Sequence, residues 1–553
     1  MKYKNLILTG IFLLAVYFRL QNITWDQGFH LHPDERFLTM VGVAMKIPAS
    51  IGDYFNPSAS TLNPSNVGFP FFVYGVFPVV LNKILAVILH NDSYDLFTLQ
   101  GRILTGIADL LTLMFIFKTA FLFEKKKQLP PQVKYWATFL YAIAVLPIQY
   151  AHFFTTDIFL CTFMFISFYY SLCFYWEQKY LPLLLSGFFL GLAVVSKINA
   201  VYILPLILFF IYFRIIKKKD FVSVIGVTIV FFTVFYAVIR TLNPYYFETG
   251  NFFDFTPNSL FIQNITTLKS FEGKNVTYPP ALQWVNTGPF FTVINLALFG
   301  IGVPYFFLLL YGFWIAIRKH RLETIAISIW VLGIFLYQSL QFVKVMRYFI
   351  FLYPFLALFG GIGAYCLLDK FKKKKQLAGI ILTFLLLAWP ITFSTIYLVP
   401  HTRVTASRWI YQNISPRATI LGEYWDDGLP LPLMDPTVKN YVLPQITIFD
   451  EETPAKWDTL NKLLSEGDYY VLSSNRGWGS IPTIPSRYPQ TTKFYNNLFS
   501  GKTSYKLVKT FYPSYYFCYR GVCPRILSNI FDESFTVYDH PTVYVFKNEK
   551  KSR

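Results

Sequence analysis

The stretch 214–240, RIIKKKDFVSVIGVTIVFFTVFYAVIR, decides the class of the protein. A basic run ends at Lys219, and from Phe221 to Ile239 no charged side chain interrupts the chain before Arg240. About 20 apolar residues let a helix cross the hydrocarbon core of a bilayer. Basic clusters beside such spans collect on the cytoplasmic side. Working outward, the same pattern recurs along the 553 residues. Eleven spans are expected, at about 5–21, 98–123, 135–151, 157–176, 180–197, 199–215, 221–240, 290–316, 324–342, 348–368 and 376–398. Four basic runs follow even-numbered spans: Lys125–Lys127 with Lys134, Arg214 with Lys217–Lys219, Arg318 with Lys319 and Arg321, and Lys370 with Lys372–Lys375. A cytoplasmic N-terminus puts all four inside the cell and the C-terminal region outside it.

Composition agrees. Lys plus Arg is 49 against 30 Asp plus Glu, a formal charge of +19, yet charged residues are only 14% of the chain while 54% is hydrophobic and 20% aromatic. This excludes a disordered chain, a disulfide-framework peptide and an ordinary cytosolic enzyme. The positive charge sits beside apolar spans, so it points to membrane lipid and not to nucleic acid. The first span is expected to be retained, because no small-x-small cleavage site follows Leu20. The segment 69–89, FPFFVYGVFPVVLNKILAVIL, is apolar enough to cross. Crossing would put every later basic run outside, so it is read as a helix in the outer interface, with Pro70 and Pro78 weakening a straight span.

The expected organisation is a polytopic α-helical unit over 1–398 and a small extracytoplasmic α/β or α+β domain over 399–553. The helical unit carries outer loops at 22–97 and 241–289. The C-terminal part has strand-like Tyr469-Tyr470-Val471-Leu472 and many Pro and Gly. Cys161, Cys173 and Cys366 fall within spans as apolar fillers. Cys518 and Cys523, spaced C-x4-C outside the cytoplasm, are read as a disulfide, with two free thiols as the other reading; a zinc site lacks two further ligands.

Directly after the first span comes His30-Leu31-His32-Pro33-Asp34-Glu35-Arg36. A carboxylate half-shielded by apolar surface can take a proton from a hydroxyl. The bland reading is a solvated loop with a helix N-cap at Asp34. Further along come Asn63-Pro64, then Phe69-Pro70-Phe71-Phe72-Val73-Tyr74-Gly75, and Gly101-Arg102-Ile103-Leu104 opening the second span. His152-Phe153-Phe154-Thr155-Thr156-Asp157 lies at the second outer turn, Lys197 at the outer end of the fifth span, and Lys344-x-x-Arg347-Tyr348 where the ninth meets the tenth. In this order the features resemble the GT-C glycosyltransferases. More narrowly, they resemble the family of protein mannosyltransferases, aminoarabinose transferases and bacterial relatives that use a phospholipid carrier. The resemblance covers about residues 1–400.

The resemblance implies transfer of a sugar from a polyprenyl-phosphate donor to a protein, lipid or glycan acceptor on the outer face, with inversion. It implies Asp34 as base, Glu35 as the residue that positions the acceptor and Asp157 as a second acidic contact. Cations must hold the leaving phosphate. The candidates are Arg347 and Lys344, with Arg102, Lys197 and Arg240, all at outer span ends. Taken singly, each is equally a basic side chain snorkelling to the interface. His32, His152, Tyr278 and Trp284 are candidates for the acceptor side; outer-loop aromatics equally form an interfacial belt. The resemblance implies no certain cofactor, and His30 and His32 beside Asp34 offer ligand types for a divalent metal. Trp425-Asp426-Asp427-Gly428 and Arg476-Gly477-Trp478-Gly479 read as turns of the small domain, or as contacts to an acceptor glycan. A transporter or flippase would place ionisable groups at mid-span, where Asp109 is the main exception. A non-catalytic envelope-glycan assembly protein would differ from the enzyme only in lacking activity.

Overall fold

A computed structural model describes residues 2–434, 438–515 and 532–551. Cys518 and Cys523 lie outside the described residues. The first 400 residues are mainly helical. Seven helices are long and apolar enough to cross a membrane: Tyr94–Lys125, Thr156–Glu177, Ile198–Lys217, Phe221–Leu242, Leu322–Leu340, Met346–Asp369 and Lys372–Tyr397. An eighth span is formed by Phe290–Gly300 and Val303–Arg318 if that pair, bent by 119°, is counted as one. Asn5–Leu20, Phe77–Leu89 and Tyr180–Ser196 are shorter apolar helices. The chain is a multi-pass membrane protein.

The expected span 135–151 is two helices, Val133–Ala142 and Val145–Ala151. The break is stabilised from outside. Arg19 donates from Nη2 to the Tyr141 carbonyl at 2.9 Å and from Nη1 to that of Ala142, both freed at the end of the first helix. Its Nε reaches Asp109 Oδ2 at 2.6 Å, and the Tyr141 hydroxyl donates to Asp109 Oδ1 at 2.5 Å. The mid-span acid is therefore paired within the bundle. The 290–316 span bends at Gly302, whose φ of 82° is left-handed backbone that a glycine adopts without strain.

Thr156–Glu177 and Met346–Asp369 form the centre of the bundle, each 83% buried over its apolar window. Phe221–Leu242 is only 17% buried and presents its apolar surface outward, as a lipid-facing helix does. Phe77–Leu89 has 13 residues, about 20 Å of helix against a hydrocarbon thickness of about 30 Å. Its Asn82 and Lys83 turn inward, to the Phe97 carbonyl at 2.9 Å and the Asp92 carboxylate at 2.6 Å. Ile84, Ile88 and Leu89 face outward.

Beyond the last long helix, Thr402–Asn413 leads into a five-stranded sheet. Its strands are β1 (Ile420–Glu423), β2 (Gln445–Ile446), β3 (Tyr469–Leu472), β4 (Tyr505–Phe511) and β5 (Val543–Asn548), in the order β2-β1-β3-β5-β4. β1 is parallel to both β2 and β3; β5 is antiparallel to both β3 and β4. Helices Pro454–Glu466 and Pro489–Phe499 cover it, so this part is mixed α/β. It is tied to the helical part at several points. Gln149 Nε2 donates to the Phe535 carbonyl at 2.7 Å, the Tyr397 hydroxyl to Asp539 at 2.9 Å, and Arg36 to Asp427 at 3.2 Å.

Candidate active site

The acidic motif starts a helix. Pro33–Ala44 opens with proline at its first position, where no backbone N–H is needed. Its N-cap is His32, whose Nδ1 accepts the Glu35 N–H at 3.3 Å, and not Asp34. Asp34 and Glu35 lie in the first turn, where the helix dipole favours carboxylates. Successive helical residues point about 100° apart, so the two acids diverge.

Asp34 points into a cleft of about 630 Å³ between the helical part and the C-terminal part. There it pairs with Arg347, which lies on the 3₁₀ turn Met346–Leu352. Burial opposes ionisation of Asp34, but the Arg347 guanidinium beside it, with His32 and Lys197 further off, holds its pKa down at about 2. Tyr74 lines the same cleft; burial first, then the neighbouring Asp34 carboxylate, pushes its proton affinity well above the usual range. Arg347 is placed from behind: the Asp532 carboxylate accepts the N–H of Met346, the preceding residue, at 2.7 Å. Asp157 and Lys197 form a second ion pair at 2.7 Å, and Lys197 lies 5.5 Å from the Tyr348 ring centroid.

The cleft lining combines apolar side chains, Phe71, Leu268, Phe271, Val343 and Val345, with the charged Arg36, Arg403, Asp427 and Arg476. Arg403 is bonded to Asp426 and Asp427 at 2.7 Å each. Tyr278 and Trp284 line the cleft as well, and Tyr278 stacks on Phe271 at 5.0 Å and meets the edge of Trp425 at 5.7 Å.

Other expected site residues lie elsewhere. Glu35 is fully buried, bonded to Arg102 through both oxygens and to the Phe154 N–H at 2.7 Å, so it is not placed to position an acceptor. Arg102 spends its guanidinium on Glu35, Asp26 and the Ile23 carbonyl, and has no donor left for a phosphate. Arg240 is also fully buried, donating to the carbonyls of Pro244, Thr249 and Asn251. Lys344 points away from the cleft among apolar side chains such as Leu296 and Phe335, with the Phe342 carbonyl at 3.3 Å. His152 is buried between the Ile148 and Gln21 carbonyls and stacks on Tyr397 at 3.8 Å, so it meets no acceptor; burial lowers its pKa to about 4. His32 is buried against Phe153 and Tyr538.

The metal-ligand types of the motif do not converge. His30 turns to Asp95 at 2.7 Å, and Nδ1 of His32 is used by the cap. Among the described residues no group of three or more His, Cys, Asp or Glu side chains is arranged to hold a metal. Sequence reasoning missed Arg36, Tyr74, Arg403 and Tyr538 as cleft residues and read the Trp425 and Arg476 motifs mainly as turns. Their joint richness in charge and aromatics was the available signal.

With this geometry in place, the comparisons are informative. Residues 96–239 match the family model of dolichyl-phosphate-mannose-protein mannosyltransferase. No curated protein matches the sequence. The fold is similar to that of the Archaeoglobus fulgidus oligosaccharyltransferase in the apo form, at 12% identity over 98% of this chain and 88% of that one, with a TM-score of 0.55. The oligosaccharyltransferase AglB from the same archaeon, in complex with an inhibitory peptide and a dolichol-phosphate, is 14% identical over 85% of this chain and 69% of that one, with a TM-score of 0.52. ArnT from Cupriavidus metallidurans bound to undecaprenyl phosphate is 13% identical over 98% of both chains; its TM-score of 0.47 is too low to carry an argument. The class is therefore a multi-pass membrane protein with a fold similar to that of the archaeal oligosaccharyltransferase.

Proposed function

We propose that this protein is a glycosyltransferase that moves a sugar from a polyprenyl-phosphate carrier to an acceptor on the outer face of the membrane. The observation that carries the proposal is the meeting of Asp34 with Arg347, 313 residues apart in sequence, in one cleft lined by both apolar and charged side chains. Asp34 takes the acceptor proton as its oxygen attacks the anomeric carbon. Arg347, with Lys197 behind it, stabilises the charge gathering on the departing polyprenyl phosphate. The proposed course is inversion, in which the acceptor oxygen attacks the face of the anomeric carbon opposite the departing phosphate. The apolar lining residues Leu268 and Phe271 suit the first prenyl units, and Tyr278, Trp284 and Trp425 suit the acceptor.

The proposed orientation has a cytoplasmic N-terminus and an outer cleft, with a helical catalytic unit 1–398 and an outer unit 399–553. One long helix supports it. Arg102 and Lys125 lie on Tyr94–Lys125, and 23 residues of helix separate them by about 35 Å, one bilayer core apart. Arg321 donates to the Lys127 carbonyl at 2.9 Å, so two of the basic runs meet at the end remote from Glu35. The transporter reading loses its main support, because Asp109 is neutralised within the bundle by Arg19.

Membranes containing the full chain, incubated with radiolabelled polyprenyl-phosphate sugars, test the proposal. The expected result is label released from the carrier into a new product, and its loss in Asp34→Asn. No transfer from any carrier sugar would overturn the enzyme reading; full activity in Asp34→Asn would overturn the assignment of the base.

A further inference from the structure

At the end of the bundle remote from Glu35, three basic runs converge. Arg321 donates from Nη1 to the Lys127 carbonyl at 2.9 Å and to the Gln128 side-chain oxygen at 2.7 Å, which draws the run at 125–127 to the one at 318–321. Lys370, just past helix Tyr353–Asp369, lies 4.8 Å from the Tyr311 ring centroid and brings in the run at 370–375. The acids of these segments are already used: Glu124 pairs with Lys134 at 2.5 Å and Asp369 with Lys375 at 2.8 Å. Among the described residues, Arg318 and Lys370 make no ion pair, and each lies over an aromatic ring instead.

These two cations stand at the head of an apolar stripe. On helix Val303–Arg318, Phe307, Leu310, Trp314 and Ile317 are exposed and recur at the spacing of one helix face, turned to lipid. Near the helix end Tyr311 and Trp314 stack at 5.8 Å, and the Arg318 guanidinium lies 5.1 Å from the Trp314 centroid. Such rings favour the depth at which acyl chain gives way to head group. A ring attracts a cation without cancelling its charge, so Arg318 and Lys370 keep unspent positive charge at that depth. Snorkelling explains one basic side chain at a helix end. Here cations from two helix ends lie over two stacked rings, above one stripe. A soluble anion would use the cations and leave the stripe bare. A zwitterionic lipid brings a cation of its own. A lipid with net negative charge uses both the cations and the stripe, the usual match for basic sites at the cytoplasmic ends of spans.

We propose that this end of helix Val303–Arg318 binds one anionic phospholipid, with its phosphate held by Arg318 and Lys370 and an acyl chain along Phe307, Leu310 and Ile317. In the orientation proposed above, the lipid belongs to the cytoplasmic leaflet. The site lies apart from the cleft, and the proposal is independent of the transferase reading. Full-length protein in neutral detergent is titrated with phosphatidylglycerol, with phosphatidylcholine and with soluble glycerol phosphate, and bound molecules are counted by native mass spectrometry. Arg318, Lys370 and Trp314 are exposed, as is Lys218 in the separate run at 214–219, so substitutions there keep the packing. The expected result is one phosphatidylglycerol per chain, bound at least fivefold more tightly than phosphatidylcholine, and no glycerol phosphate. Arg318→Gln and Lys370→Gln each weaken it about fivefold, the usual worth of one basic side chain at an anionic surface. Trp314→Ala, which removes a ring and part of the stripe, weakens it as well, and Lys218→Gln leaves it unchanged. Equal affinity for the two lipids, or full binding in the Arg318, Lys370 and Trp314 variants, overturns the site. An equal loss in Lys218→Gln would reduce it to the general field of the basic face and overturn it too. Glycerol phosphate bound as tightly as the lipid would overturn a lipid as the ligand.

Discussion

Asp34 and Arg347 form an ion pair that closes the base of the cleft, so the proposed base is bonded to the proposed phosphate ligand before any substrate arrives. A phosphate that takes over Arg347 releases Asp34 next to a new negative charge, which raises its proton affinity. The donor would then activate the base. Asp34→Asn is expected to lower transfer by about 10²–10⁴-fold, the usual worth of a positioned base, while donor binding persists. Initial rates and equilibrium binding of carrier lipid, measured side by side, check this.

Low pH tests the same pair. The folded pKa of Asp34, about 2, lies below its ordinary 3.8. Its contribution to stability is therefore present above about pH 4 and is lost as pH falls toward 2. Thermal unfolding of wild type and Asp34→Asn in detergent should converge over that window and differ above it.

The buried Arg102 holds Asp26 and Glu35 together. Arg102→Leu leaves two carboxylates buried without their cation and is expected to cost about 3–5 kcal/mol, seen as a large fall in Tm or failure to fold. A donor-binding role for Arg102 would instead leave Tm unchanged and raise KM for the donor.

Glu423 lies at the heart of the C-terminal sheet and accepts hydroxyl bonds from Tyr470 at 2.5 Å and Tyr495 at 2.6 Å. Burial pushes its pKa from 4.5 to about 7 against those bonds. The raised value means stability is full below about pH 4.5 and declines as pH rises through 7. Wild-type Tm should fall between pH 5 and 8 by the equivalent of about 3 kcal/mol, and Glu423→Gln should flatten that slope.

Tyr278 and Trp425 meet edge to face at the cleft. Either residue changed to Ala should raise the acceptor KM with kcat nearly unchanged, at about 1 kcal/mol for a lost aromatic contact. Steady-state kinetics against acceptor concentration distinguishes this from a loss of chemistry.

The helical class was legible because apolar length and charges at span ends are local properties of the chain; Asp34 and Arg347 were each named from the motifs around them, and their direct pairing is a long-range contact. The fates of Arg102 and Arg240 were not. All the candidate cations are basic side chains with one expected depth, and whether such a group meets the cleft or the interior depends on which face of its element it occupies. Arg102 faces Glu35 and Asp26, and Arg240 faces the carbonyls of its own loop. Arg403 and Asp427 were hidden for another reason: they belong to the cleft only through long-range docking of the C-terminal part.

The carboxylate of Asp532 holds the backbone of Met346, one step before Arg347. A ribosome therefore finishes inserting every span long before this support exists. Polypeptides stopped short of residue 532 lack this contact behind Arg347, so on the proposed reading transfer is expected only after residue 532 has joined the cleft.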